Sequence, residues 1–136
     1  MSKGYVMMAM GNDYIDQAYL CAKSIKQTQT INNVCLITND TVPEEYKNVF
    51  DEIIPIPRQT SDDFYRTEDR WKIFHVTPYT ENIVLDTDII FLTNVDYIWT
   101  HLQKYDVCFP ENVYTYRGIA VKDSYYRQSF DKNNLP

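Results

Sequence analysis

Short apolar runs and helically spaced apolar residues alternate along the chain from Tyr5 to Phe109. Tyr5 to Met10 lies between Gly4 and Gly11 and predicts a first buried strand. Gly11-Asn12-Asp13 then turns the chain, with Asn12 or Asp13 available to cap a helix. From Tyr14 to about Thr28, Ile15, Ala18, Ala22 and Ile25 recur at helical spacing while Lys23 and Lys26 fall elsewhere on the wheel. Val34 to Thr38 predicts a second strand, closed by Asn39-Asp40, and Pro43-Glu44-Glu45 has the composition of a first helical turn, giving a short helix to about Asn48. Phe50 to Ile56 predicts a third strand, ended by Pro55 and Pro57. After the polar segment Arg58 to Asp63, a helix is expected from about Thr67 to Val76, stopped by Pro78. Ile83-Val84-Leu85 is a continuous apolar run with β-branched members, the pattern of a strand covered on both faces. The apolar residues Ile89 to Leu92 follow, then a Thr93-Asn94 turn. A helix whose buried side uses Ile98 and Leu102 comes next, and a last strand spans Asp106 to Phe109.

Strands alternating with helices imply parallel pairing through right-handed crossovers. The expected fold is therefore α/β, a three-layer α/β/α Rossmann-like arrangement around a mostly parallel sheet. Residues 1–110 form that domain, and residues 111–136 form a Tyr/Arg-rich segment without clear periodicity. In such sheets ligands bind beyond the carboxyl ends of the strands. Asn12, Asp40 and the pair Asp86/Asp88 all fall at predicted strand ends, although Asp40 is equally placed to cap a helix.

Composition narrows the classes. A chain of 136 residues is long enough to bury a core without staples. Its net charge of -6 argues against a general grip on nucleic acid or anionic membranes, and an acidic protein that binds phosphate profits from a bridging cation. No apolar run approaches the roughly 20 residues of a membrane span, so a soluble, cytoplasmic protein is expected. Cys21, Cys35 and Cys108 are odd in number and widely spaced, as core thiols of a reducing compartment would be.

The chemistry concentrates at Asp86-Thr87-Asp88. Two carboxylates after a buried strand need a compensating partner. On an extended chain, positions i and i+2 lie on one side, roughly 6 to 7 Å apart, and both reach one divalent cation. A turn that merely ends the strand is the other reading of so short a pattern. With glycine only at 4, 11 and 118, neither a dinucleotide-binding glycine loop nor a P-loop can be written on this chain. Phosphate binding would thus fall to a metal, and oxygen ligands favour Mg²⁺ or Mn²⁺. Neither His75 nor His101 has a partner at zinc spacing, and His75 is expected to be a partly buried structural residue. The Asp-x-Asp-Gly-Thr pattern of haloacid-dehalogenase-like phosphatases is not met, because Ile89-Ile90 follows Asp88 deep in the chain.

The run Arg70 to Asp96, R-W-K-I-F-H-V-T-P-Y-T-E-N-I-V-L-D-T-D-I-I-F-L-T-N-V-D, resembles the donor-binding core of GT-A fold glycosyltransferases, closest to the glycogenin-like family eight. Ala9 to Tyr14, A-M-G-N-D-Y, is similar to that family's first strand and base-binding turn. The resemblance implies a nucleotide-diphosphate sugar donor, a UDP-sugar by family habit, with Mn²⁺ or Mg²⁺ held by Asp86 and Asp88. It implies donor contacts from Ala9, Asn12, Tyr14, Asp40, Arg70, Asp86 and Thr87, and catalytic roles for Arg70 and Asp86. Arg70 stands where the family has a lysine, with Lys72 as a weaker rival; its planar fork suits phosphate. Asn94 and Asp96 match the family pattern but are expected to serve the turn and cap. The family's late histidine ligand and most of its acceptor site have no counterpart here. The expectation is therefore a donor-binding half, shortened or completed by a partner chain or second copy, with an unknown acceptor. Tyr114 to Arg127 reads as an acceptor-side lid or as a tail.

Overall fold

A computed structural model describes residues 2–56 and 70–106. The chain divides into two units, Met1–Thr100 and His101–Pro136, and the fold below is that of the first. Its strands are β1 (Lys3–Ala9), β2 (Val34–Thr38), β3 (Glu52–Pro55) and β4 (Glu81–Leu85). They form a four-stranded sheet in the order β3-β2-β1-β4, with every pairing parallel. In register, Tyr5 lies beside Val34 of β2 on one side and Ile83 of β4 on the other. The helices are α1 (Asn12–Thr28), α2 (Glu44–Lys47) and α3 (Ile73–Val76), with 3-10 turns at Arg70–Lys72 and Asp96–Gln103. No helix among the described residues is long and apolar enough to cross a membrane.

Successive strand side chains point to opposite faces, and the sheet uses both. Val6, Cys35 and Ile37 pack with Met10, Ile56 and Ile73, and Val76 and Tyr79 close over them, so α3 lies on this face. On the other face Tyr5 meets Phe91 and Trp99 edge-on, at ring-centroid distances of 5.5 and 5.3 Å. The Phe91 backbone N–H donates to Ser24 Oγ of α1 at 3.0 Å, which places α1 on that face. Ile15, Ala18, Cys21, Ala22 and Ile25 form the buried stripe of α1. All five residues of β2 are buried, and each large apolar one contributes roughly 1.5–3 kcal/mol relative to exposure.

Several elements depart from the sequence expectation. β4 is not covered on both faces: Val84 is 46% exposed, because β4 ends the strand order among the described residues. Asn12 and Asp13 do not cap α1. Gly11 does, at φ 114°, a conformation glycine adopts without penalty, and no side-chain capping bond forms. The helix expected from Thr67 is a 3-10 turn followed by a single α-turn over residues 70–76, and residues 67–69 lie outside the described residues. Trp99, at 2% exposure, is the buried residue of the last 3-10 helix, whereas Ile98 is exposed and Leu102 only partly buried. Of the strand expected at Asp106 to Phe109, Asp106 is a bend and residues 107–109, like the boundary near residue 110, lie outside the described residues.

Ile89 to Leu92 adopts no regular structure, and the reason is visible in its hydrogen bonds. Backbone polar groups need partners, and the Phe91 N–H finds one in a side chain of α1, while the residues around it bond to α1 and to its C-cap Gln29. Thr87 bonds to Gln17, Phe91 to Ser24, Val95 N–H to Gln29 Oε1 at 2.8 Å, and Gln29 Nε2 to the Thr93 carbonyl at 2.8 Å. Asn94 Nδ2 donates to the Thr28 carbonyl, and Asp96 accepts the Thr30 N–H. The segment is thus strapped along α1 from its second turn to its end. Asn94 and Asp96 also bond to one another, the turn duty expected of them.

Candidate functional site

The chain runs from β1 to β2 to β3 outward, then crosses back to place β4 on the other side of β1. The strand order reverses between β1 and β4, and a crevice opens beyond their carboxyl ends, where open α/β sheets bind ligands. A pocket of about 250 Å³ lies there, lined by Met8, Met10, Tyr14, Gln17, Arg70, Asp86, Thr87 and Asp88.

Three pieces of local structure build it. Met8 and Met10 share one face at the end of β1 by strand alternation. Tyr14 and Gln17, three apart on α1, face the crevice from the first turns of that helix. The third piece is the turn after β4. Leu85 ends the strand, and the chain bends at Thr87 and Asp88 rather than continuing extended. Thr87 is buried at 7% exposure, and its hydroxyl donates to Gln17 Oε1 at 3.0 Å. Anchoring the middle residue turns both flanking carboxylates outward into the same pocket. The aspartates are gathered by this anchor, not by the strand alternation expected from sequence.

Arg70 reaches the pocket from the 3-10 turn preceding α3, and its Nη2 donates to Asp86 Oδ1 at 2.5 Å. The two side chains are 54% and 56% exposed, so solvent screens the pair. Behind the turn, burial pushes the Cys21 thiol up to about 12, and the charge of Asp88 adds to that shift.

The other sequence candidates lie elsewhere. Ala9 is fully buried in the sheet, and Asn12 is an exposed first-turn residue of α1; neither lines the pocket. Asp40 Oδ2 accepts the Gly11 N–H at 2.5 Å, so its carboxylate holds the β1–α1 turn; it caps neither α1 nor α2, contrary to its capping alternative. Lys72 is half-buried in the same 3-10 turn as Arg70 but does not line the pocket. His75 is exposed, contrary to the buried role expected of it, and stands edge-on to Trp71 at 5.5 Å. Cys21 and Cys35 are free and buried, as expected of core thiols. Cys108 and the Tyr114 to Arg127 segment lie outside the described residues. Met8, Met10 and Gln17 are the lining residues that sequence reading missed.

The carboxylates of Asp86 and Asp88 are the acidic groups lining the pocket. Two exposed carboxylates and one guanidinium leave the lining net negative, which repels a free phosphate and attracts a metal. No group of three or more His, Cys, Asp or Glu able to hold a metal occurs among the described residues. A magnesium-like ion nevertheless needs only one or two carboxylates when waters and substrate phosphates complete its shell. No family model matches the chain, and no curated protein matches it.

Proposed function

We propose that this chain binds a nucleotide-diphosphate sugar, a UDP-sugar in the first instance, as the donor-binding part of a metal-dependent glycosyltransferase of GT-A type. One observation carries the reading: the crevice at the β1/β4 strand-order reversal gathers Tyr14, Arg70, Asp86 and Asp88 around one pocket. Asp86 and Asp88 would hold Mn²⁺ or Mg²⁺, which when bound neutralises the diphosphate leaving group. Arg70 supplies a fixed positive charge and a planar fork to the same oxygens. Tyr14 offers an aromatic face and a hydroxyl from α1, 37% exposed, to the nucleoside end. Thr87 and Gln17 hold the aspartate turn in place.

A second reading, a nucleotide-sugar-binding module completed by a partner chain or second copy, is favoured by the cation ligands numbering only two among the described residues. Calorimetry with UDP separates both readings from a purely structural domain. UDP is expected to bind in Mn²⁺, and EDTA or Asp88→Asn to weaken binding tenfold or more. Equal binding in EDTA would remove the metal from the account. Slow hydrolysis of the UDP-sugar by the chain alone favours the transferase, and binding without turnover favours the module.

A further inference from the structure

The Arg70–Asp86 pair has a consequence for the order in which ligands enter. The guanidinium sits on a carboxylate that the donor-site reading assigns to a divalent cation. We infer that Arg70 is an internal counter-ion, resting on Asp86 until a diphosphate draws it away, so that the pocket takes the cation and the diphosphate cooperatively. This rests on the donor-site reading above and adds to it how occupancy is controlled.

The chemistry runs as an exchange of partners. Asp86 Oδ1 accepts from Arg70 Nη2 at 2.5 Å, and no ion pair to Asp88 occurs among the described residues. A divalent cation arriving alone meets a monovalent cation already on one of its two ligands, and the two repel. A diphosphate arriving alone meets a net negative lining. Arriving together, each removes the obstacle to the other. The phosphate oxygens offer the guanidinium a bidentate partner, and Asp86 is freed for the metal. The resting pair is half exposed, so it holds only on the order of a fewfold in an equilibrium constant and can be exchanged. Coupling of this kind is reciprocal: diphosphate raises metal affinity by the factor by which metal raises diphosphate affinity.

The test measures Mn²⁺ affinity with and without UDP, corrected for the Mn²⁺ that free UDP binds, in wild type, Arg70→Gln and Arg70→Lys. Arg70→Gln should bind Mn²⁺ alone about three- to fivefold more tightly than wild type, and the enhancement of Mn²⁺ binding by UDP should shrink at least threefold. Arg70→Lys keeps the charge without the fork and should fall between. An Arg70→Gln protein whose Mn²⁺ affinity is unchanged or weaker, or whose enhancement by UDP equals that of wild type, overturns the exchange and leaves Arg70 a simple phosphate contact. Failure of the underlying reading looks different. Mn²⁺ then binds none of the three proteins, with or without UDP, and the exchange falls with it.

Discussion

Gly4 of β1 stands where a side chain has no room. A Cβ built there would lie 2.2, 2.3 and 2.6 Å from Cε2, Cδ2 and Cζ of Tyr79. Carbon atoms rest at about 3.5–4.0 Å, so Gly4→Ala forces the ring to retreat by about 1–1.5 Å. The Tyr79 ring packs against the core of Val6, Cys35, Ile37 and Ile73, and its backbone carbonyl accepts from Asn82 Nδ2 of β4 at 3.1 Å. Overpacking of this kind costs about 1–3 kcal/mol. Replacing a strand glycine by alanine returns about 0.5–1 kcal/mol through the unfolded chain. The net expectation is a loss of up to about 2.5 kcal/mol in urea unfolding. In a Tyr79→Ala background the obstacle is gone, and Gly4→Ala should be neutral or stabilising by up to about 1 kcal/mol. Equal effects of Gly4→Ala in the two backgrounds would refute the reasoning. Because the residues after Tyr79 lead directly into β4, this contact fixes the strand that delivers Asp86 and Asp88.

Three further outcomes are expected. Gln17→Leu removes the acceptor of the buried Thr87 hydroxyl, 7% exposed, and should cost about 1–3 kcal/mol in urea unfolding, with a smaller loss when Thr87 is already valine. In a Cys108→Ser background, thiol reagent at pH 8 should label neither Cys21 nor Cys35 until the protein unfolds; rapid native labelling of both would contradict their burial. Burial pushes both thiols from 9.0 up to about 12, so the folded state holds these protons more tightly than the unfolded state. Their contribution to stability is complete below about pH 9 and is lost as pH rises towards 12, so the urea midpoint should fall over that window, and fall less in Cys35→Ala.

Elements with a strong period were legible from the sequence. The β2 boundaries and the buried stripe of α1 follow from a continuous apolar run and a repeat at 3.6 residues. What escaped depended on contacts distant in sequence. Ser24 of α1 and its C-cap Gln29 are buried polar residues, 7% and 5% exposed, and with Gln17 they hold the segment from Thr87 onward in place of a neighbouring strand. Apolar residues at Ile89 to Leu92 alone cannot report that the Phe91 N–H is met by a helix side chain, Ser24. Polar residues interrupting the buried face of α1 were the available signal. The exposure of Val84 likewise depends on strand order, which a local run of Ile, Val and Leu does not encode. At the site, Asp86 and Asp88 were found by charge following an apolar run. Gln17 was not, because a lone glutamine in a helix carries no local mark.

The proposed function puts a cation-bridged diphosphate in one crevice, between the carboxyl ends of β1 and β4. Amide NMR spectra with UDP and trace Mn²⁺ test it directly, because the paramagnetic ion broadens the signals nearest to it. Asp86, Thr87 and Asp88 should broaden first, followed by Tyr14, Gln17 and Arg70, while the Lys47 and Asp51 amides stay sharp, and Asp88→Asn should abolish the pattern. Broadening spread evenly over the acidic surface, or centred away from Asp86 and Asp88, would contradict it.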